Sequence, residues 1–173
     1  MFTRRARFLA SLALMVGLLT VAASSGVVAG TKDNEAKKYT ELLQKSKDPK
    51  VRLDAIEKIG ELAQINKKLG TPAVPYIKDA LSDKDTEIRK AAAKAYGRCD
   101  PDDADAVKTL VDLMKNDKED AVKMSAAFGL QSMGEKAKVA VPDMLTVAKS
   151  LKNDKDSKQL KRMAATIKGT KNK

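Results

Sequence analysis

Ile88-Arg89-Lys90-Ala91-Ala92-Ala93-Lys94-Ala95-Tyr96-Gly97 is the stretch that sets the fold, because the chain writes it more than once. Thirty-seven residues earlier, Val51-Arg52-Leu53-Asp54-Ala55-Ile56-Glu57-Lys58-Ile59-Gly60 has the same apolar, basic, alanine and glycine positions. Thirty-four residues later, Val122-Lys123-Met124-Ser125-Ala126-Ala127-Phe128-Gly129-Leu130 repeats them, with Gln131 where the glycine stood. A degenerate fourth copy runs from Leu160-Lys161-Arg162-Met163 to Gly169. Self-similarity at such a period marks an array of small supersecondary units, each too thin to bury its own apolar face.

Each copy follows an acidic, lysine-containing turn: Lys47-Asp48-Pro49, Asp83-Lys84-Asp85, Asp117-Lys118-Glu119 and Asn153-Asp154-Lys155-Asp156. Asp48 before Pro49 reads as a helix N-cap with proline at the first helical position, where a missing N–H costs nothing. Upstream of the turns lie partner segments with helical spacing, opened by Ala73-Val74-Pro75, Ala106-Val107-Lys108 and Ala140-Val141-Pro142. Their apolar positions are Ile77 and Leu81 in one, and Val107, Leu110, Val111 and Met114 in the next; Leu42 and Leu43 mark the first. The expected fold is all-α, with about four helix pairs, and no segment alternates as a strand would.

Helix pairs at this period, with Asp-x-Asp-x-x-(Val/Ile)-Arg turns, alanine-rich second helices and proline-bearing first helices, resemble HEAT repeats. The likeness is to the short bacterial HEAT-like kind, including the HEAT-like type found in phycobilin lyases, and it covers roughly Asn34 to Gly169. It implies an alpha-alpha superhelix, a solenoid whose second helices line the concave face and whose polar last helix is a cap. HEAT folds host scaffolds, lyases and nucleic-acid binders, so the resemblance alone does not fix an activity.

The first 29 residues form a different polymer. Arg4, Arg5 and Arg7 precede an apolar run from Phe8 to Ala23, and small residues follow, ending in Val27-Val28-Ala29. A basic flank, an apolar centre and small residues at the end are the parts of a secretory signal peptide. Cleavage is expected after Ala29; the alternative is an uncleaved anchor, for which the apolar stretch is just long enough. The body, residues 30–169, is then an exported repeat domain, periplasmic or extracellular, and residues 170–173 a disordered basic tail.

Composition removes several chemistries. The chain has no His and one Cys, so it holds no His-based nucleophile pair, no intrachain disulfide and no thiolate zinc site. Aromatics make up 3% of the residues, too few for the base-stacking platforms of single-strand binders. No catalytic residue, cofactor or metal site is assigned. The acidic cluster Asp100-Pro101-Asp102-Asp103-Ala104-Asp105 is read as capping the following helix, with a calcium site as the alternative. Cys99 falls where the other copies have Leu62 and Met133, a core position.

Two sets of residues are candidates for binding. Arg52, Arg89, Lys123 and Lys161 occupy one equivalent position early in each second helix, forming a basic ladder. It either lines the concave face or bonds the acidic turn of an adjacent repeat, at Asp48, Asp85 and Glu119. Met124 and Phe128 lie four apart on one helix face, and the positions equivalent to Phe128 are Glu57, Lys94 and Thr166. They are either an exposed anchor for a protein partner or covered by the fourth repeat.

The formal net charge is +11. Without the first 29 residues it is +8, and residues 149–173, with nine basic and two acidic side chains, carry +7 of that. Basicity therefore belongs to the C-terminal end, which suits an anionic surface such as lipid or glycan, while a nucleic-acid groove along the solenoid is disfavoured. The function expected is that of an exported, non-catalytic module binding a protein partner. The alternatives are a lyase-like or other enzyme on this scaffold, or adhesion to an anionic surface through the basic end.

Overall fold

The computed structural model describes residues 25–101 and 105–169, the first five of them as backbone only. Most of the expected signal segment, Asp102 to Ala104 of the acidic cluster and the expected 170–173 tail lie outside the described residues. Among the described residues nine α-helices follow one another: α1 (Ser25–Lys45), α2 (Pro49–Ile65), α3 (Lys67–Gly70), α4 (Val74–Ala80), α5 (Thr86–Cys99), α6 (Ala106–Asn116), α7 (Asp120–Met133), α8 (Val141–Ser150) and α9 (Asp154–Gly169). There is no strand among the described residues. Four pairs, α1/α2, α4/α5, α6/α7 and α8/α9, reproduce the four copies read from the sequence. Helix α1 runs across the expected cleavage point after Ala29.

The turns work as local chemistry requires. The Asp48 carboxylate accepts the Lys50 N–H and Pro49 opens α2, while Asp85 accepts the Glu87 N–H at the start of α5. Pro75 and Pro142 sit in the first turns of α4 and α8, as their sequence context predicts. Glu119, by contrast, precedes α7 without a side-chain cap.

The second helices form a continuous inner row, α2 against α5, α5 against α7, and α7 against α9. Each packs with its own first helix behind it, and the apolar stripes of both merge into one core. Ile56, Ile59, Ile77, Ile88, Tyr96, Leu110, Met114, Leu130, Met144, Leu160 and Ile167 are fully buried in that core. This is the nearest-neighbour stacking that stabilises repeat arrays.

The α5–α7 joint is the most extensive in the row, and glycine makes it so. A Cβ on Gly97 would lie 2.1 Å from the Gly129 carbonyl oxygen, and one on Gly129 would lie 2.4 Å from the Ala93 carbonyl oxygen. The two backbones touch where side chains would otherwise hold them apart. Repeat alignment pairs Gly97 with Gln131, so the glycine that meets it, Gly129, comes from a different position of its copy.

The acidic cluster corrects an expectation. Asp100 does not open the next helix; it terminates α5 in the left-handed region, at φ 46° and ψ 61°. Its carboxylate accepts from Lys67 Nζ at 2.7 Å and pairs with Lys136 Nζ at 3.0 Å. Burial would raise this carboxyl, but the two ammonium groups outweigh it and hold it below the usual range. Asp105 precedes α6 without a side-chain cap.

Candidate functional site

The basic ladder resolves into two finished rungs, at Arg52 and Arg89, an unfinished one at Lys123, and Lys161, which the structure places off the ladder. Arg52 donates to Asp83, and Arg89 donates to both oxygens of Asp117, through Nε at 2.8 Å and Nη2 at 3.2 Å. Arg89 Nη1 also donates to the Asp83 and Lys84 carbonyl oxygens, at 2.9 and 3.2 Å. Each arginine thus bonds the turn of the following repeat. The acceptor is the first acid of that turn, not Asp85 or Glu119 as the sequence reading had it, and Asp48 receives no rung.

That first acid serves two donors at once. Asp83 accepts the Asp85 N–H at 2.8 Å besides Arg52, and Asp117 accepts the Glu119 N–H at 2.9 Å besides Arg89. Burial would raise both carboxyls; the turn N–H and the arginine together overcome it and hold both low. Arg89 is pushed up by its bond to Asp117. Its side chain is 8% exposed and that of Asp117 6%, so this pair is a buried structural bond and unavailable to a ligand.

Counted from the first residue of each second helix, the position equivalent to Asp83 and Asp117 in the turn before α9 is Leu151, which is buried and carries no carboxylate. Lys123 accordingly turns back on its own helix and pairs with Asp120 at 3.2 Å. By the same count the rung position of α9 is Ser157, whose hydroxyl donates to the Ala148 carbonyl oxygen, and Lys161, one turn beyond it, is exposed and forms no ion pair with a described residue. The ladder is therefore a stitch between repeats, and it stops one repeat short of the C-terminal end.

Met124 and Phe128 fall between the two alternatives open in the sequence. Both are half-buried and pack against the core, yet both line a groove of about 540 Å³ bounded by α5, α7 and α9. Lys90, Lys94 and Arg98 form its α5 wall, and Asp156, Gln159 and Met163 its α9 wall. The fourth repeat flanks the pair without covering it.

Arg98 was not singled out from the sequence. Its guanidinium carbon lies 5.2 Å from the centroid of the Phe128 ring, a cation–π contact that holds both side chains over the groove. Burial lowers its pKa from the ordinary arginine value. A partial signal was present: Lys90, Lys94 and Arg98 recur every four residues, which puts them on one face of their helix.

Cys99 is buried where repeat alignment placed it, and burial pushes its thiol up to about 12. A Cβ on Gly70 would lie 2.4 Å from its Sγ, so the sulfur fills a close contact in the core. No group of three or more Cys, Asp or Glu side chains placed to hold a metal occurs among the described residues. No described helix is long and apolar enough to cross a membrane.

An inner row of second helices, stitched turn to turn by arginine and aspartate, defines a repeat solenoid. Residues 36–131 match the family model of HEAT repeats, more than half of the chain, and the protein belongs to that family. No curated protein matches the chain.

Proposed function

We propose that this protein is an exported, non-catalytic interaction module that binds a partner protein in the groove between α5, α7 and α9. The observation that carries the reading is the Met124–Phe128 pair, two large apolar side chains left half-exposed on the floor of a groove with charged walls. Apolar anchors inside a polar rim are the usual anatomy of a protein-binding hot spot. HEAT repeats generally mediate protein–protein interaction, which agrees with it. The non-catalytic part is supported by the single thiol, which is buried and held protonated, and by the absence of histidine from the sequence. Export is supported by the basic-then-apolar start and the small residues before Gly30.

The test is affinity capture from the exported fraction with wild type and with the double variant Met124→Ala, Phe128→Ala. A partner recovered by wild type and lost with the variant, at unchanged helical circular dichroism, supports the reading; equal recovery removes it. Intact mass of exported material should correspond to a chain beginning at Gly30.

A second reading has its own observation. Lys155, Lys158, Lys161, Arg162 and Lys168 on α9 are all exposed, and none forms an ion pair with another described residue. The apolar stripe of α9, Leu160, Met163, Ala164 and Ile167, is buried, so an anionic surface would be met through charge alone. Salt-sensitive sedimentation with anionic vesicles, lost on charge reversal at Lys158, Lys161 and Arg162, is its test.

A further inference from the structure

We propose that the α8–α9 end of the array docks on an anionic lipid surface, through the cations of α9 and Leu145 of α8, and that the Met124–Phe128 groove stays open to water while it does so. The proposal rests on the second reading above and adds to it the lipid, an apolar contact and an orientation.

The docking face is located by comparing the last repeat with the one before it. Thirty-four residues separate the starts of α7 and α9, and the same shift sets Val107 of α6 on Val141 of α8. It carries Val111 onto Leu145 and Ala127 onto Lys161. With α8 and α9 packed against α6 and α7, Val111 is 9% exposed and Ala127 fully buried. No helix packs beyond α9 among the described residues; there Leu145 is 40% exposed, and Lys161 is exposed. Both therefore belong to the face that a following repeat would cover.

On α9 that face is cationic. Lys155, Lys158, Lys161, Arg162 and Lys168 are exposed, none forms an ion pair with another described residue, and Asp154 is the one exposed acid of the helix. They spread over about 20 Å of helix. The surface around Lys155, Lys158 and Arg162 is built from α9 and its leading turn alone, so no second element walls in a single polymer chain. The helix has no aromatic side chain on which a base or sugar ring could stack. A plane of anionic headgroups suits such an edge, because each Lys or Arg near it contributes separately. Where α9 offers charge alone, α8 adds Leu145, an apolar side chain that a lipid interface accepts and a soluble polyanion does not.

The orientation follows from helix geometry. The groove-lining side chains of α9 are Asp156, Gln159 and Met163. At about 100° per residue, their mean direction lies roughly 140° from that of the five cations. A surface pressed on the cations leaves the groove outside the contact, so the docked protein can hold a partner and a membrane at once.

The test uses the full exported chain and vesicles of phosphatidylcholine with and without phosphatidylglycerol. Sedimentation is expected with the mixed vesicles only. It should weaken on the order of hundredfold in the triple variant Lys158→Gln, Lys161→Gln, Arg162→Gln. Leu145→Ser should weaken it several-fold, and thermal melting of both variants should match wild type because the four side chains are exposed. Acrylamide quenching of a fluorophore reads the orientation. Cys99 is buried, so a cysteine placed by Lys161→Cys or Lys94→Cys takes the label alone. On mixed vesicles the label at position 161 should be shielded, and the label at position 94, on the α5 wall of the groove, should stay as accessible as in solution. Sedimentation with both labels shielded overturns the proposal and leaves the second reading standing. So does sedimentation that Leu145→Ser does not weaken, since charge alone would then hold the surface. No sedimentation, or equal sedimentation with phosphatidylcholine alone, removes both.

Discussion

The α5–α7 joint and the α7–α9 joint are built from copies of the same sequence unit, yet they are held together differently. At the first, Gly97 and Gly129 bring two backbones into contact, and Arg89 is buried against both oxygens of Asp117. At the second, Leu151 stands where the acceptor would be, Lys123 folds back onto Asp120, and the groove holding Met124 and Phe128 lies alongside. A repeat array needs every joint to be stable but needs only one to remain open. Here the ladder ends where the groove begins.

The comparison can be broken most severely at the glycines. Gly97→Val places a Cβ against a carbonyl oxygen that cannot move without shifting α7, and we expect a loss of more than about 3 kcal/mol, enough to prevent folding. Circular dichroism and denaturant unfolding would show it; a variant as stable as wild type would mean the backbones are not in contact.

Next comes the buried rung. Arg89→Ala leaves the Asp117 carboxylate without its main partner, at an expected cost of about 3 kcal/mol. The pH dependence follows from the same carboxylate. Its folded pKa lies below its unfolded value, so the stability it lends is complete above roughly pH 4 and disappears as pH falls through the lowered value. The gap between wild type and Arg89→Ala should therefore close in acid. A gap independent of pH down to full protonation would separate the arginine's effect from Asp117.

The outer rung is weaker. Arg52 and Asp83 are 26% and 10% exposed, and water shares their interaction, so Arg52→Ala should cost about 1–2 kcal/mol. The unfinished rung is weakest: Lys123→Ala removes a pair within one helix and should change stability by less than about 0.5 kcal/mol. Urea midpoints for the three ladder variants should fall in that order, and a Lys123 effect comparable to that of Arg89 would erase the distinction between the joints.

The helix pairs were legible because helical spacing and caps are local. Asp48 before Pro49, the prolines opening α4 and α8, and the buried positions Ile59, Leu110 and Leu130 all follow from short stretches. The ladder was legible as a pattern, but its acceptor was misassigned by two residues. The acids of one turn look alike in sequence, and only the arginine bonds to Asp83 and Asp117 mark which of them docks the preceding repeat. In the alignment that pairs Lys123 with Lys161, the position of Asp83 and Asp117 is taken by Lys155, which is no acid, and that was the available sign that the last joint differs. The contact of Arg98 with Phe128 was hidden for another reason. It joins two helices 30 residues apart, and no periodicity within either one specifies which faces meet. Asp100 was read as the start of something and is an end, because a left-handed residue has no signature in an acidic run.

Asp100 also has a mechanical consequence. Lys67 follows the first helix pair and Lys136 follows the third, and both ammonium groups converge on this single carboxylate at the end of α5. The main helix contacts of the inner row, α2 with α5, α5 with α7 and α7 with α9, join immediate neighbours, which lets such an array flex like a coil spring. A tie across the second repeat works as a strut instead. Extension of the coil would have to pull at least one lysine from Asp100, and breaking both ties, by Asp100→Asn, is expected to let the middle of the protein open more readily in hydrogen exchange.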